Sequence, residues 1–159
     1  MRPSKFQAHP EGGRYQQVYK SAAGITTASG LQRSALTHIY FSLEPGEVSR
    51  FHRVCSDEVW NLYRGKGLRL YSWDETDSAP ICTILSADND EFCHVVPAGN
   101  WQAAEPLFDT VLVGCTVAPG FEYADFELIA PSSPQAQQLR AISPSMEKYI
   151  SGPHSDKIG

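Results

Sequence analysis

The sequence lacks any dense cluster of lysine or arginine. Its 13 basic residues are outnumbered by 18 acidic ones, for a formal charge of -5, and they stand apart, as at Arg64, Lys66 and Arg69. Nucleic acid is therefore not expected as a partner, because phosphate binding needs a concentrated positive footprint. No apolar run approaches the roughly 20 residues of a membrane span, and the opening Met1-Arg-Pro-Ser-Lys-Phe-Gln holds no signal-peptide apolar region. The expectation is a soluble, cytoplasmic protein with no membrane partner. Cysteine is sparse, and none of Cys55, Cys82, Cys93 and Cys115 stands in C-x-x-C spacing. In a reducing cytosol they read as buried thiols, with a zinc site or redox pair as the sharper alternative. Disorder, collagen-like sequence and a disulfide-stapled miniprotein are excluded by 159 residues that are 42% hydrophobic and 19% charged. One globular domain over residues 1–150 is expected, followed by a flexible tail over 151–159 with too little apolar content to hold itself down.

Helix signals are scarce, whereas strand-like runs recur at close spacing. Runs rich in β-formers or alternating in polarity cover 14–20, 35–43, 58–63, 68–73, 81–85, 92–96, 110–117 and 123–129, about eight strands in all. Turn signals such as Glu44-Pro45-Gly46 and Arg64-Gly65-Lys66-Gly67 punctuate them. The one good helix lies late, where Ser133 supplies an N-cap, Pro134 the first helical position, and 135–142 runs on to a stop at Pro144. This pattern predicts an all-β fold with a short C-terminal helix.

Chemistry concentrates between Gly46 and Gly65, which bracket His52 and Glu58 on two successive strands. Across an antiparallel hairpin these side chains can converge on one inner face and share a metal ion, a proton or a substrate. Taken alone, the pair also fits a satisfied interior histidine and an exposed hairpin carboxylate.

The spacing Gly46, His52, Glu58, Gly65 resembles the first motif of the cupin superfamily, with Val54 where that motif has its second histidine. Pro97-Ala-Gly-Asn-Trp-Gln102 is similar to the second motif, with Gln102 at its histidine position and Glu91 and Pro106 where it has glycine and asparagine. A closer resemblance is to one small family of single-domain, epimerase-like cupins. It is carried by His9-Pro-Glu-Gly-Gly13, Ile39-Tyr-Phe41, His52-Arg-Val with Ser56-Asp-Glu58 and Trp60, Val96-Pro-Ala-Gly with Trp101-Gln-Ala103, and Gly114-Cys-Thr-Val-Ala-Pro-Gly-Phe121 with Asp125-Phe-Glu127. The resemblance spans roughly residues 9–129. It implies a double-stranded β-helix, the cupin jelly roll, that forms a homodimer, with the strand near residues 15–19 as an exchange element. In that family Gln102 is the regular residue. If a divalent metal is present (Zn, Ni, Fe or Mn), the resemblance implies that His52, Glu58 and Gln102 hold it.

The pocket can also be read on its own chemistry. His52 is the side chain expected to titrate closest to neutrality, Glu58 can orient it or take a proton, and Gln102 offers both a donor and an acceptor to a substrate. Tyr40 and Tyr63 are candidate second proton carriers, since a phenol inside a barrel needs a partner. Trp60, Trp101 and Phe121 suit a flat or ringed ligand. Arg50 shares the face of His52 by strand alternation, whereas Arg53 points away. Arg14, after two glycines, is either a rim anchor for a carboxylate or phosphate or a solvated side chain. The leading expectation is proton-transfer chemistry on a small polar or keto-sugar-like metabolite, by an isomerase, epimerase, cyclase or lyase. Two alternatives stay open: a non-catalytic metabolite binder, and a metal-dependent oxygenase. The latter has one histidine of the usual two and would need His38 or His94 to turn inward.

Overall fold

The computed structural model describes residues 5–153. Its strands are β1 (Gln7–Ala8), β2 (Arg14–Lys20), β3 (Gly24–Thr26), β4 (Gln32–Ser34), β5 (Thr37–Leu43), β6 (Ser49–Arg53), β7 (Asp57–Arg64), β8 (Leu68–Trp73), β9 (Ile81–Leu85), β10 (Cys93–Val96), β11 (Trp101–Pro106), β12 (Val111–Ala118) and β13 (Glu127–Leu128). A six-stranded sheet runs β1-β2-β5-β12-β7-β10, a five-stranded sheet runs β13-β6-β11-β8-β9, and β3 pairs with β4 alone. Period-two alternation then decides what each strand buries. Phe41, Leu43, Trp60, Leu62 and Val113 of the larger sheet meet Leu68, Leu70, Leu85 and Ala104 of the smaller one in a single core, so the two sheets pack face to face as a cupin jelly roll.

A second core lies on the other side of the five-stranded sheet. Helix α1 (Pro134–Ile142) starts at Ser133, whose Oγ accepts from the Ala136 N–H at 3.1 Å, and α2 (Glu147–Ser151) follows after one 3-10 turn. Ala136, Leu139, Met146, Tyr149 and Ile150 cover Phe51, Trp73, Trp101 and Ala103. The C-terminal helix thus caps the sheet face turned away from the sandwich interior. Ser151, the first residue of the expected tail, closes α2 with its Oγ–H donated to Glu147 at 2.7 Å, and 154–159 lie outside the described residues.

The structure departs from the strand pattern of the sequence in several places, the short strands β1, β3 and β4 among them. Ser-Arg-Phe-His-Arg of β6 and Trp-Gln-Ala-Ala-Glu-Pro of β11 carry few β-branched side chains, yet pairing on both sides holds them extended. The 123–129 run is instead a 3-10 turn, Tyr123–Asp125, ahead of the short β13, because the amides of Asp125 and Phe126 bond back to the carbonyls of Glu122 and Tyr123 at 2.9 and 3.1 Å. Finally, β6 and β7 do not pair as a hairpin, since each belongs to a different sheet. His52 and Glu58 therefore approach from opposite walls of the sandwich.

Candidate functional site

Between the sheets, at the end not filled by leucine and valine, lies a cavity of about 90 Å³. Its wall alternates correctly with each strand: Thr37 and Ile39 from β5, Glu58 and Trp60 from β7, Cys115 and Val117 from β12, and His52 from β6. The turn segment after β12 adds Phe121, Tyr123 and Phe126, and the loop before β2 adds His9 and Glu11.

That N-terminal loop is built to press a carboxylate inward. Gly12 sits at φ +116°, and a Cβ there would lie 2.1 Å from the Val48 carbonyl oxygen, so only glycine permits the approach. Arg50 fastens the loop twice: its amide donates to the Glu11 carbonyl at 2.8 Å and its guanidinium to the Pro10 carbonyl at 2.7 Å. Glu11 is thereby delivered beside His52, with Oε2 2.9 Å from His52 Nε2 and Oε1 accepting from Ser49 Oγ at 2.9 Å.

His52 Nδ1–H donates to the Arg50 carbonyl at 2.7 Å, which leaves Nε2 facing a carboxylate. An imidazole with acceptors at both nitrogens is held as imidazolium. Burial opposes the charge, but attraction to and hydrogen bonding with Glu11, then Glu58, overcome it and raise the His52 pKa to about 9. For Glu11 burial likewise pushes upward and is outweighed by His52, His9 and Ser49, so its carboxyl lies below the usual range. His9 Nδ1 accepts the Glu11 N–H at 3.3 Å, and burial lowers the His9 pKa against the attraction of Glu11.

Glu58 has a different environment. Trp60 Nε1–H can only donate, and it donates to Gln102 Oε1 at 2.8 Å; the Gln102 amide nitrogen must then face Glu58, to which it donates at 2.5 Å. Gln102 is completely buried and is the register neighbour of His52 on β6. Burial dominates at Glu58 and raises its pKa to about 7, against the lowering effect of His52. One carboxylate in the cavity is thus fixed as an anion beside an imidazolium, while the other is poised to gain or lose a proton near neutrality. Cys115, buried in the same wall, has its thiol pushed up by burial and is a protonated, unreactive neighbour.

Several residues singled out in the sequence stand elsewhere. Tyr40 and Tyr63 face outward, because β5 and β7 point Thr37, Ile39, Glu58 and Trp60 inward; Tyr63 is 50% exposed and bonds His38 Nε2 at 3.0 Å. His38 itself bonds Thr116 Oγ1 at 2.7 Å on that outer face, and neither it nor His94 lines the cavity. Trp101 is adjacent to Gln102 and so projects to the opposite side, where its indole N–H bonds Glu75 at 2.7 Å and Arg53 stacks 4.5 Å over its ring. Arg14 pairs with Glu44 at an exposed site, and Arg50 serves the loop rather than the cavity. Of the four free thiols only Cys115 is buried. His52, Glu58, Trp60 and Phe121 do reach the cavity wall, with Gln102 directly behind it. His9, Glu11, Tyr15, Tyr123 and Phe126 join the wall without having been singled out as site residues; the signals were the His9-to-Gly13 segment with its paired glycines and the Asp125-Phe-Glu127 segment.

The donor set does not fit the divalent metal implied by the resemblance. Both nitrogens of His52 are spent on Arg50 and Glu11, and the Gln102 oxygen is spent on Trp60. Among the described residues no three His, Cys, Asp or Glu side chains come together in an arrangement that holds a metal ion.

No curated protein matches the chain. Among solved structures, a hypothetical protein from Leishmania major is 30% identical, with 95% of this chain and 94% of that one covered and a TM-score of 0.74. A protein from Shewanella oneidensis is 31% identical, with 94% and 91% covered and a TM-score of 0.75. A cupin 2 conserved barrel domain protein from Rhodopseudomonas palustris shares the fold, at 14% identity and a TM-score of 0.59 over 94% of this chain and 84% of that one. The family described as Cupin superfamily (DUF985) matches residues 2–129, from before the glycine loop to β13, and this chain belongs to it.

Proposed function

We propose that the protein catalyses proton transfer at carbon next to a carbonyl, as an isomerase or epimerase of a small polar, keto-sugar-like metabolite. The observation that carries this reading is the separation of the two inward carboxylates: Glu11 is locked to the His52 cation, whereas Glu58 meets the neutral donors Gln102 and Trp60 and has its pKa raised by burial to about 7. Ionised Glu58 takes the proton from the carbon that bears a hydroxyl, the electron pair moves to the carbonyl oxygen, the hydroxyl proton passes to that oxygen, and the same carboxyl returns its proton to the former carbonyl carbon, leaving the new carbonyl on its neighbour. His52 supplies fixed positive charge to the oxyanion rather than a free N–H, since both of its protons are already donated. Phe121 and Phe126 exclude water from the reacting carbon.

Deuterium uptake from D₂O into a panel of ketoses and aldoses, followed by NMR, tests this. Exchange is expected to rise with pH through about 7 as Glu58 ionises and to fall through about 9 as His52 loses its proton. No protein-dependent exchange with any member of the panel would leave metabolite binding without catalysis as the better reading.

The chain is also proposed to work as a homodimer. No helix among the described residues is long and apolar enough to cross a membrane, and the outward face of the six-stranded sheet instead offers uncharged groups, Tyr63 at 50% exposure and Val95 at 49% among them. In this structure β2 pairs with β5 of its own chain, so that outer face, rather than strand exchange, is the interface expected. Sedimentation at micromolar concentration is expected to give twice the 17.5 kDa chain mass, and a monomer would contradict it.

A further inference from the structure

We propose that the cavity takes an uncharged, polyhydroxylated carbonyl compound and discriminates against phosphorylated and nucleotide-linked forms of it. The inference names the substrate class of the proton-transfer site above and rests on that reading. Among the described residues no lysine or arginine lines the cavity. The cations on segments that adjoin its wall are held elsewhere: Lys20 by Glu122 at 3.0 Å, Arg33 by a two-pronged contact with Asp125 at 2.7 and 2.8 Å, and Arg50, whose guanidinium is turned to the Pro10 carbonyl of the N-terminal loop at 2.7 Å. The single positive group inside, His52, is matched by Glu11. A phosphate dianion entering here loses its hydration with no cation to replace it, beside two carboxyl groups.

What the wall does offer suits a neutral ring or chain of hydroxyls. Phe121, Tyr123 and Phe126 present aromatic faces and edges to one another at centroid distances of 5.0 to 6.2 Å, an apolar platform for C–H groups. The Tyr123 hydroxyl donates to the Tyr15 hydroxyl at 3.2 Å, which leaves the Tyr15 proton for a ligand, and Gln17 adds an amide at the wall. Size points the same way. With a water needing about 10–15 Å³ by the same measure, a cavity of about 90 Å³ has room for roughly six to nine water-sized groups, the scale of a small sugar and not of a nucleotide sugar.

The test is a titration of the intact protein near neutral pH, at constant ionic strength, with D-xylulose and separately with its terminal phosphate ester. The reporter is the Trp60 indole N–H, which sits in the wall and is identified among the three tryptophans by Trp60→Phe. The free ketose is expected to shift this resonance and the ester to bind at least about tenfold more weakly. Gln17→Arg, at an exposed wall position away from Glu58, is expected to strengthen ester binding about tenfold, the worth of one charge-assisted hydrogen bond. Ester binding equal to or tighter than ketose binding overturns the proposal, as does failure of the ketose to perturb Trp60 at tens of millimolar. Ketose binding without carbon-bound proton exchange upholds the ligand class and removes the proton-transfer reading. Faster exchange of the ester than of the ketose does the reverse.

Discussion

Glu11→Ala is expected to lower the stability of the protein by about 3–5 kcal/mol, the cost of leaving a buried charge without its partner. The carboxylate is almost wholly buried, with both oxygens engaged, and its removal strands the His52 imidazolium and the Ser49 hydroxyl. His52 can escape only by losing its proton, which gives the effect a pH signature. A histidine whose folded pKa is raised from 6.5 to about 9 contributes stability that is fully present below pH 6.5 and is lost as pH rises through 9. Urea midpoints measured across that window should therefore fall with pH in the natural protein. In Glu11→Gln, where an amide can bond a neutral imidazole, the slope should become shallower and part of the stability return. A midpoint unchanged by Glu11→Ala would mean that the loop from His9 to Gly13 does not dock on β6 as described.

Glu58→Gln is expected to act in the opposite sense on stability and to remove activity. Loss of a general base slows exchange by about 10²–10⁴-fold. Yet a carboxyl whose folded pKa is raised from 4.5 to about 7 binds its proton more tightly folded than unfolded, so it takes stability away as pH rises across that interval. Glutamine keeps an oxygen to accept from the Gln102 amide and never ionises. Above pH 7 the variant should accordingly be more stable than the natural protein, by on the order of 1–3 kcal/mol. An inactive and more stable variant marks a group kept in an unfavourable setting for its chemistry, whereas loss of both properties would assign Glu58 to the core.

Most strand positions and the start of the helix were legible because they depend on local pattern. The run 35–43 contains β5, and Ser133-Pro134 opens α1 at the expected residue. Strands β6 and β11 were not, since their residues are held extended by neighbours distant in sequence. Within the site, Glu58 and Trp60 share a wall by simple alternation, and the same alternation carried the information that Tyr63 and Trp101 face away, each having the opposite parity to an inward neighbour. Glu11 was hidden for another reason. Nothing local says that a loop 41 positions before His52 will dock there, and the contact depends on a close backbone approach that only Gly12 permits. Val54 stands where the first cupin motif has its second histidine, and the structure brings Glu11, from outside the motif, into the same cavity as the partner of the motif's own His52.

The measurement closest to the central claim needs no substrate. Carbon-13 NMR titration of the glutamate side-chain carboxyls should show one resonance, absent from Glu58→Gln, with an apparent pKa of about 7. A Glu58 resonance titrating near 4.5 with the exposed carboxylates would contradict a carboxyl held ready for proton transfer, and with it the proposed chemistry.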